Sequence, residues 1–145
     1  MRCDIGMDIS RRHLLASSAL AGATVLSAAD RRPLLYIGAY TSDKNKGITV
    51  CRLDPATGAI TDMTLAAETP NPTFLELHPT GKFLYAVNEI GNYQGAKAGS
   101  IVSYSIDRAT GKLTELNRVS TKGPGPCHVS IDKSGRMAMI ANYGG

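Results

Sequence analysis

The chain has 145 residues, with 16 Lys and Arg against 12 Asp and Glu, for a formal net charge of +4. The surplus is small and dispersed: beyond residue 29 no five-residue window is dominated by Lys and Arg. This argues against a nucleic-acid or anionic-membrane surface. Its three Cys and three His show neither metal-ligand spacing nor a disulfide framework, so no metal and no cofactor is expected.

Residues 1–29 form a class of their own. Ser10-Arg11-Arg12-His13 opens onto an apolar, uncharged run over 14–29 that closes on Ser27-Ala28-Ala29. A basic start, an apolar middle and a small-residue end make an export signal, cut after Ala29. Adjacent arginines between Ser and Leu point to the twin-arginine route, with its export machinery as partner and a periplasmic or secreted product. The run is too short for a stable membrane span; a buried N-terminal helix is the alternative. Met7 is an alternative start. Cys3 and His13 leave with the signal, while Cys51 and Cys127 read as small strand residues, with a long-range bridge between them left open.

From residue 30 the signals are those of strands and turns. The stretch Asn71 to Asn88 recurs at Gly125 to Asn142, with Pro72, Gly81 and Asn88 answered by Pro126, Gly135 and Asn142, each 54 residues on. Asp54-Pro55-Ala56-Thr57-Gly58 likewise returns as Asp107-Arg108-Ala109-Thr110-Gly111, 53 residues on. One period holds predicted strands at 73–77, 83–87, 100–106 and 112–119. They are separated by turns in which Gly supplies positive φ and Asp bonds the turn backbone. Val102, Tyr104 and Ile106 alternate with Ser103 and Ser105 as a half-buried strand requires. Four strands per fixed period is the blade of an all-β propeller. An antiparallel sandwich also has short strands, but has no reason to repeat its sequence in phase. Residues 30–145 hold an incomplete opening blade, a whole one and half of a third. Propellers close at about four to eight blades, so the chain reads as the front part of a longer protein.

Three segments, LYIGAYTSDKNKGITVCRLDPATGAI, NPTFLELHPTGKFLYAVNE and GPGPCHVSIDKSGRMAMIANYGG, together resemble the opening blades of the seven-bladed β-propeller lactonases. This 6-phosphogluconolactonase-like (cycloisomerase 2) family includes fungal carboxy-muconate lactonising enzymes. The resemblance covers the whole chain after the signal. It implies seven blades in the full protein and formation or hydrolysis of a lactone without a nucleotide cofactor. It also implies a His after the loop 123–126, a proposed catalytic group in the muconate enzymes.

Blade geometry selects the candidates. The loop entering an innermost strand and the loop leaving a second strand open on one face, at the mouth of the central channel. Gly123-Pro124-Gly125-Pro126 enters such a strand, which puts Cys127 and His128 there. Asn88-Glu89, Asn142-Tyr143 and the segment Gly38 to Thr41 leave second strands on the same face, whereas Lys82 and Arg136 lie opposite. His128 is the expected catalytic residue, because the equivalent position one period earlier is Phe74, so the repeat does not require imidazole. A neutral imidazole accepts a proton from water at physiological pH, and such general-base help contributes about 10²–10⁴-fold. Glu89, whose counterpart is Tyr143, is a substrate-binding candidate that could hold sugar hydroxyls or orient His128. Asn88 and Asn142 are further substrate-binding candidates, although their recurrence points first to turn structure. His78 stands where Asp132 stands one period later, which predicts a turn cap. No Arg here is expected at the channel, and no Gly-x-Ser-x-Gly, His-Glu-x-x-His or Cys-x-x-Cys motif occurs. The expected substrate is a sugar-acid lactone; the rival is a non-catalytic propeller binding a partner at the cell envelope.

Overall fold

The computed structural model describes residues 32–145; the export signal read at 1–29 lies outside the described residues. The described residues contain nine strands and no helix, and so no helix long and apolar enough to cross a membrane. Strands β1 (Leu34–Ile37), β2 (Gly47–Leu53) and β3 (Ile60–Glu68) make a three-stranded antiparallel sheet. Strands β4 (Leu75–Leu77), β5 (Phe83–Asn88), β6 (Ser100–Ile106) and β7 (Leu113–Ser120) make the four-stranded meander expected of a blade. Finally β8 (Pro126–Ile131) pairs with β9 (Ala138–Asn142).

The sheets stack face to face, which is why β5 is apolar on both sides. Leu84 and Ala86 join Val102, Tyr104 and Leu113 against Ile48, Val50 and Ala66 of the first sheet. Val87 and Ile101, with Tyr85, instead meet Val129, Ile131 and Ile140 of the third sheet. A sheet covered on both faces needs apolar residues at successive positions, where a one-sided sheet would alternate. Edges β4 and β8 approach each other, and β3 approaches β7, so the sheets fan about the edge formed by β4 and β8. This is part of a propeller.

The two Asp-x-Ala-Thr-Gly segments fold alike. Asp54 Oδ1 accepts Ala56 N at 2.9 Å and Asp107 Oδ1 accepts Ala109 N at 2.9 Å. Gly58 and Gly111 close each turn at φ 73° and 78°, where a side chain would be strained. These amide bonds are the leading cause that holds both carboxyls below their ordinary range. At the neighbouring turns His78 does take the place of Asp132. Its Nδ1 accepts Thr80 N at 3.2 Å, so Nε2 carries the proton and donates to Gly135 O at 3.1 Å in the next sheet.

Three expected strands differ at their ends; the one expected at 83–87 runs on to Asn88, which still pairs with Ser100. The strand expected at 73–77 shortens to β4, because Asn71 turns at φ 41° and Thr73 N donates back to Asn71 O at 2.9 Å. The strand expected at 112–119 begins and ends one residue later, because Lys112 belongs to the turn: its N–H donates to Thr110 Oγ1 at 3.2 Å and its carbonyl accepts Asp107 N at 2.9 Å.

Candidate functional site

Strands β1, β5 and β9 leave, and β4 and β8 are entered, on one face of the stack, called here the upper face. Backbone bonds lace its loops together. Glu89 N donates to Asn71 O (3.0 Å), Gly125 N to Ile90 O (3.0 Å) and Tyr143 N to Gly125 O (2.7 Å). The loops of the second and third sheets are thereby held side by side, and the Asn71 side chain links them to Thr41 of the first.

Glu89 is half-buried, and both its carboxylate oxygens are occupied from different sheets. Tyr40 Oη donates to Oε1 at 2.5 Å and Thr73 Oγ1 to Oε2 at 2.6 Å. Such charge-assisted bonds are stronger than neutral ones, and the bond to Glu89 is the leading cause that raises the Tyr40 phenol above its ordinary value. Asn71 braces the same pair from behind: its Oδ1 accepts Thr41 N (3.0 Å) and Thr41 Oγ1 (2.8 Å), while its Nδ2 donates to Glu89 O (3.1 Å).

His128 is exposed, and so is Cys127 beside it. The register of β8 on β9 slips between Pro126 and His128, a bulge that re-aims side chains and that recurs beside active sites. The His128 ring lies against Phe74, with centroids 4.4 Å apart, so the two residues matched by the sequence repeat are neighbours in space. Glu89 bonds Tyr40 and Thr73 instead of orienting His128. The thiols of Cys51, buried on β2, and Cys127 are both free; the bridge between them that the sequence leaves open is not formed.

Asn88 has no exposed surface and its amide is saturated. Nδ2 donates to Thr69 Oγ1 (2.8 Å) and Pro70 O (2.6 Å), while Oδ1 accepts Ser100 Oγ (3.0 Å) and Arg118 Nη1 (2.7 Å). Asn142 donates through Nδ2 to Thr121 O at 3.1 Å, and its buried Oδ1 has no partner among the described residues. Arg118, on the outermost strand β7, is drawn toward the top of its sheet by Asn88. Beyond Asn88 it pairs with Glu115 at 2.8 Å, which is the leading cause that raises its affinity for its proton. With Thr41, Lys46, Glu68 and Thr69 it lines an open cavity of about 470 Å³. Among the described residues no group of three or more His, Cys, Asp or Glu is placed to hold a metal ion.

The sequence pointed to Glu89 and His128 but not to Tyr40, Asn71, Thr73 or Arg118 as their companions. One signal was available. Leu35-Tyr36 aligns on Leu84-Tyr85, which puts Tyr40 on Glu89 and marks both as exit-loop positions of adjacent sheets.

Stacked antiparallel meanders, the complete one four-stranded, with their exit loops joined on one face define part of a β-propeller. Residues 34–145 match the family described as Lactonase, 7-bladed beta-propeller, and the chain belongs to that family. It is 34% identical over 108 residues to a 6-phosphogluconolactonase of Bacillus subtilis, covering 74% of this chain and 30% of that protein. It is 33% identical over 110 residues to a 6-phosphogluconolactonase of Formosa agariphila, covering 75% and 30%. The solved structure of a periplasmic gluconolactonase of Pseudomonas aeruginosa is 34% identical, superposes with a TM-score of 0.67, and is matched over 76% of this chain and 30% of its own. The chain thus spans about 30% of the length of the relatives it matches.

Proposed function

We propose that the protein carrying this chain is a lactonase that opens a sugar-acid lactone by His128-assisted attack of water at the mouth of the propeller channel. The neutral imidazole takes a proton from water as the water oxygen attacks the lactone carbonyl. The ring C–O bond then breaks, the departing alkoxide recovers that proton, and lactone plus water has become a hydroxy acid. The observation that carries this reading is the exposed His128 ring, re-aimed by the bulge in β8 and seated against Phe74, on the face where Glu89 is held as an acceptor for substrate hydroxyls. Asn142, whose Oδ1 is buried away from any ligand, holds the approach to β8 through Thr121 O at 3.1 Å. Asn88, saturated and buried, positions the loop. The names of the relatives support lactone hydrolysis. The signal read at 1–29 favours an exported enzyme and an unphosphorylated lactone, since phosphorylated intermediates are scarce outside the membrane.

The test is proton release by the full-length protein from D-glucono-δ-lactone and its 6-phosphate, corrected for spontaneous hydrolysis. Saturable turnover of the unphosphorylated lactone is expected. No turnover of any sugar lactone would replace this reading with a binding propeller.

A further inference from the structure

We propose that Tyr40 and Thr73 determine specificity by positioning the Glu89 carboxylate, from two neighbouring blades, as a fixed pair of acceptors for adjacent hydroxyls of a polyhydroxylated lactone ring. This rests on the lactonase reading and adds to it which part of the substrate is recognised, and how.

An ionised carboxylate offers about four lone-pair sites. Tyr40 Oη takes one on Oε1 and Thr73 Oγ1 one on Oε2, so each oxygen keeps capacity for one further donor. A ligand with two neighbouring hydroxyls can donate to both oxygens at once. A lone surface Glu would first have to be ordered, at an entropic cost to binding; here the ordering is already present in the fold. The brace extends beyond the side chains. Asn71 ties the Thr41 amide and hydroxyl to the Glu89 carbonyl (3.0, 2.8 and 3.1 Å), and Asn45 Nδ2 holds the Tyr40 carbonyl at 3.1 Å. The phenol and the carboxylate are therefore anchored at both ends.

Packing does not account for Tyr40. Tyr40 is 61% exposed, and among the described residues its hydroxyl bonds Glu89 alone. A bond at so exposed a place adds little to stability, so a purely structural role and a positioning role give different results.

The test compares Tyr40→Phe, Thr73→Val and Thr73→Ser with wild type in the full-length protein, using D-glucono-δ-lactone and the hydroxyl-free δ-valerolactone. Losing one positioning bond is expected to raise KM for the sugar lactone about tenfold with kcat changed less than about threefold. The ratio of kcat/KM for the sugar lactone to that for δ-valerolactone falls about tenfold, and Thr73→Ser retains it. Melting temperature shifts by less than about 2 °C. An unchanged KM and ratio, or an equal loss of kcat on both lactones, would overturn the proposal while leaving the lactonase reading intact. Should wild type turn over neither lactone, calorimetric titration with D-gluconate decides. About tenfold weaker binding to Tyr40→Phe supports the positioning role; equal affinity, or no binding to wild type, removes it.

Discussion

Asn88 and Arg118 meet at the top of the second sheet, the Asn88 Oδ1 accepting Arg118 Nη1 at 2.7 Å while Nδ2 of the same amide donates to Pro70 O at 2.6 Å. One buried amide thus joins the outermost strand β7 to the segment that enters β4. Replacing it leaves the Thr69 hydroxyl, the Ser100 hydroxyl and the guanidinium without that partner. Asn88→Ala is expected to cost about 2–3 kcal/mol in chemical denaturation of the full-length protein. Asn88→Asp fails too, because it sets a carboxylate oxygen 2.6 Å from the Pro70 carbonyl oxygen, which can only accept.

Gly38 is required by a close approach. A Cβ there would lie 2.0 Å from the carbonyl oxygen of Pro72, well inside contact distance, and backbone cannot rotate away as a side chain can. Gly38→Ala is expected to lower stability by about 1–3 kcal/mol. Because the exit loop carrying Tyr40 would shift with it, KM for the sugar lactone should rise in the same variant; calorimetry and steady-state kinetics check the two effects together.

Acid stability carries a signature of Asp132. Its carboxyl is lowered to about 2, first by the Ser134 hydroxyl and then by the amides of Met137, Arg136 and Ser134. A depressed folded value means that the unfolded chain binds the proton first, so this contribution is complete above about pH 4 and fades as pH falls toward 2. Asp132→Asn should flatten the stability profile over that window, measured as thermal midpoint against pH. An unaltered slope would contradict the assignment.

Alkaline stability carries the opposite sign. Burial raises the Tyr36 phenol to about 12, against a lowering influence from Arg52, and its hydroxyl donates to Gly111 O at 2.9 Å in the next sheet. The raised value makes this contribution complete below about pH 10 and lost as pH climbs toward 12. Tyr36→Phe should cost about 1 kcal/mol near neutrality and reduce the loss of stability above pH 10.

Much of the fold is legible in the residues because each blade repeats the same local problem. Asp54 and Asp107 sit in five-residue turns that differ only at Pro55 and Arg108, and the structure gives both the same Asp-to-Ala bond. The 54-residue offset likewise pairs Phe74 with His128, and the rings are in contact. What the repeat does not carry is the departure from it. The shortening of β4 follows from Asn71 adopting positive φ, a choice made by its bonds to Thr41 and Glu89. The repeat gives no sign that Arg118 of β7 bonds the buried Asn88. Glu89 was visible as a carboxylate at an exit loop, but its partners come from residues 49 and 16 positions away, beyond the reach of local patterning.

The account turns on the imidazole of His128 as the group that activates water. Steady-state proton release from D-glucono-δ-lactone by the full-length His128→Ala variant measures this directly. A fall in kcat of about 10²-fold or more with a near-wild-type KM and melting temperature is the expected result. Turnover equal to wild type would contradict it.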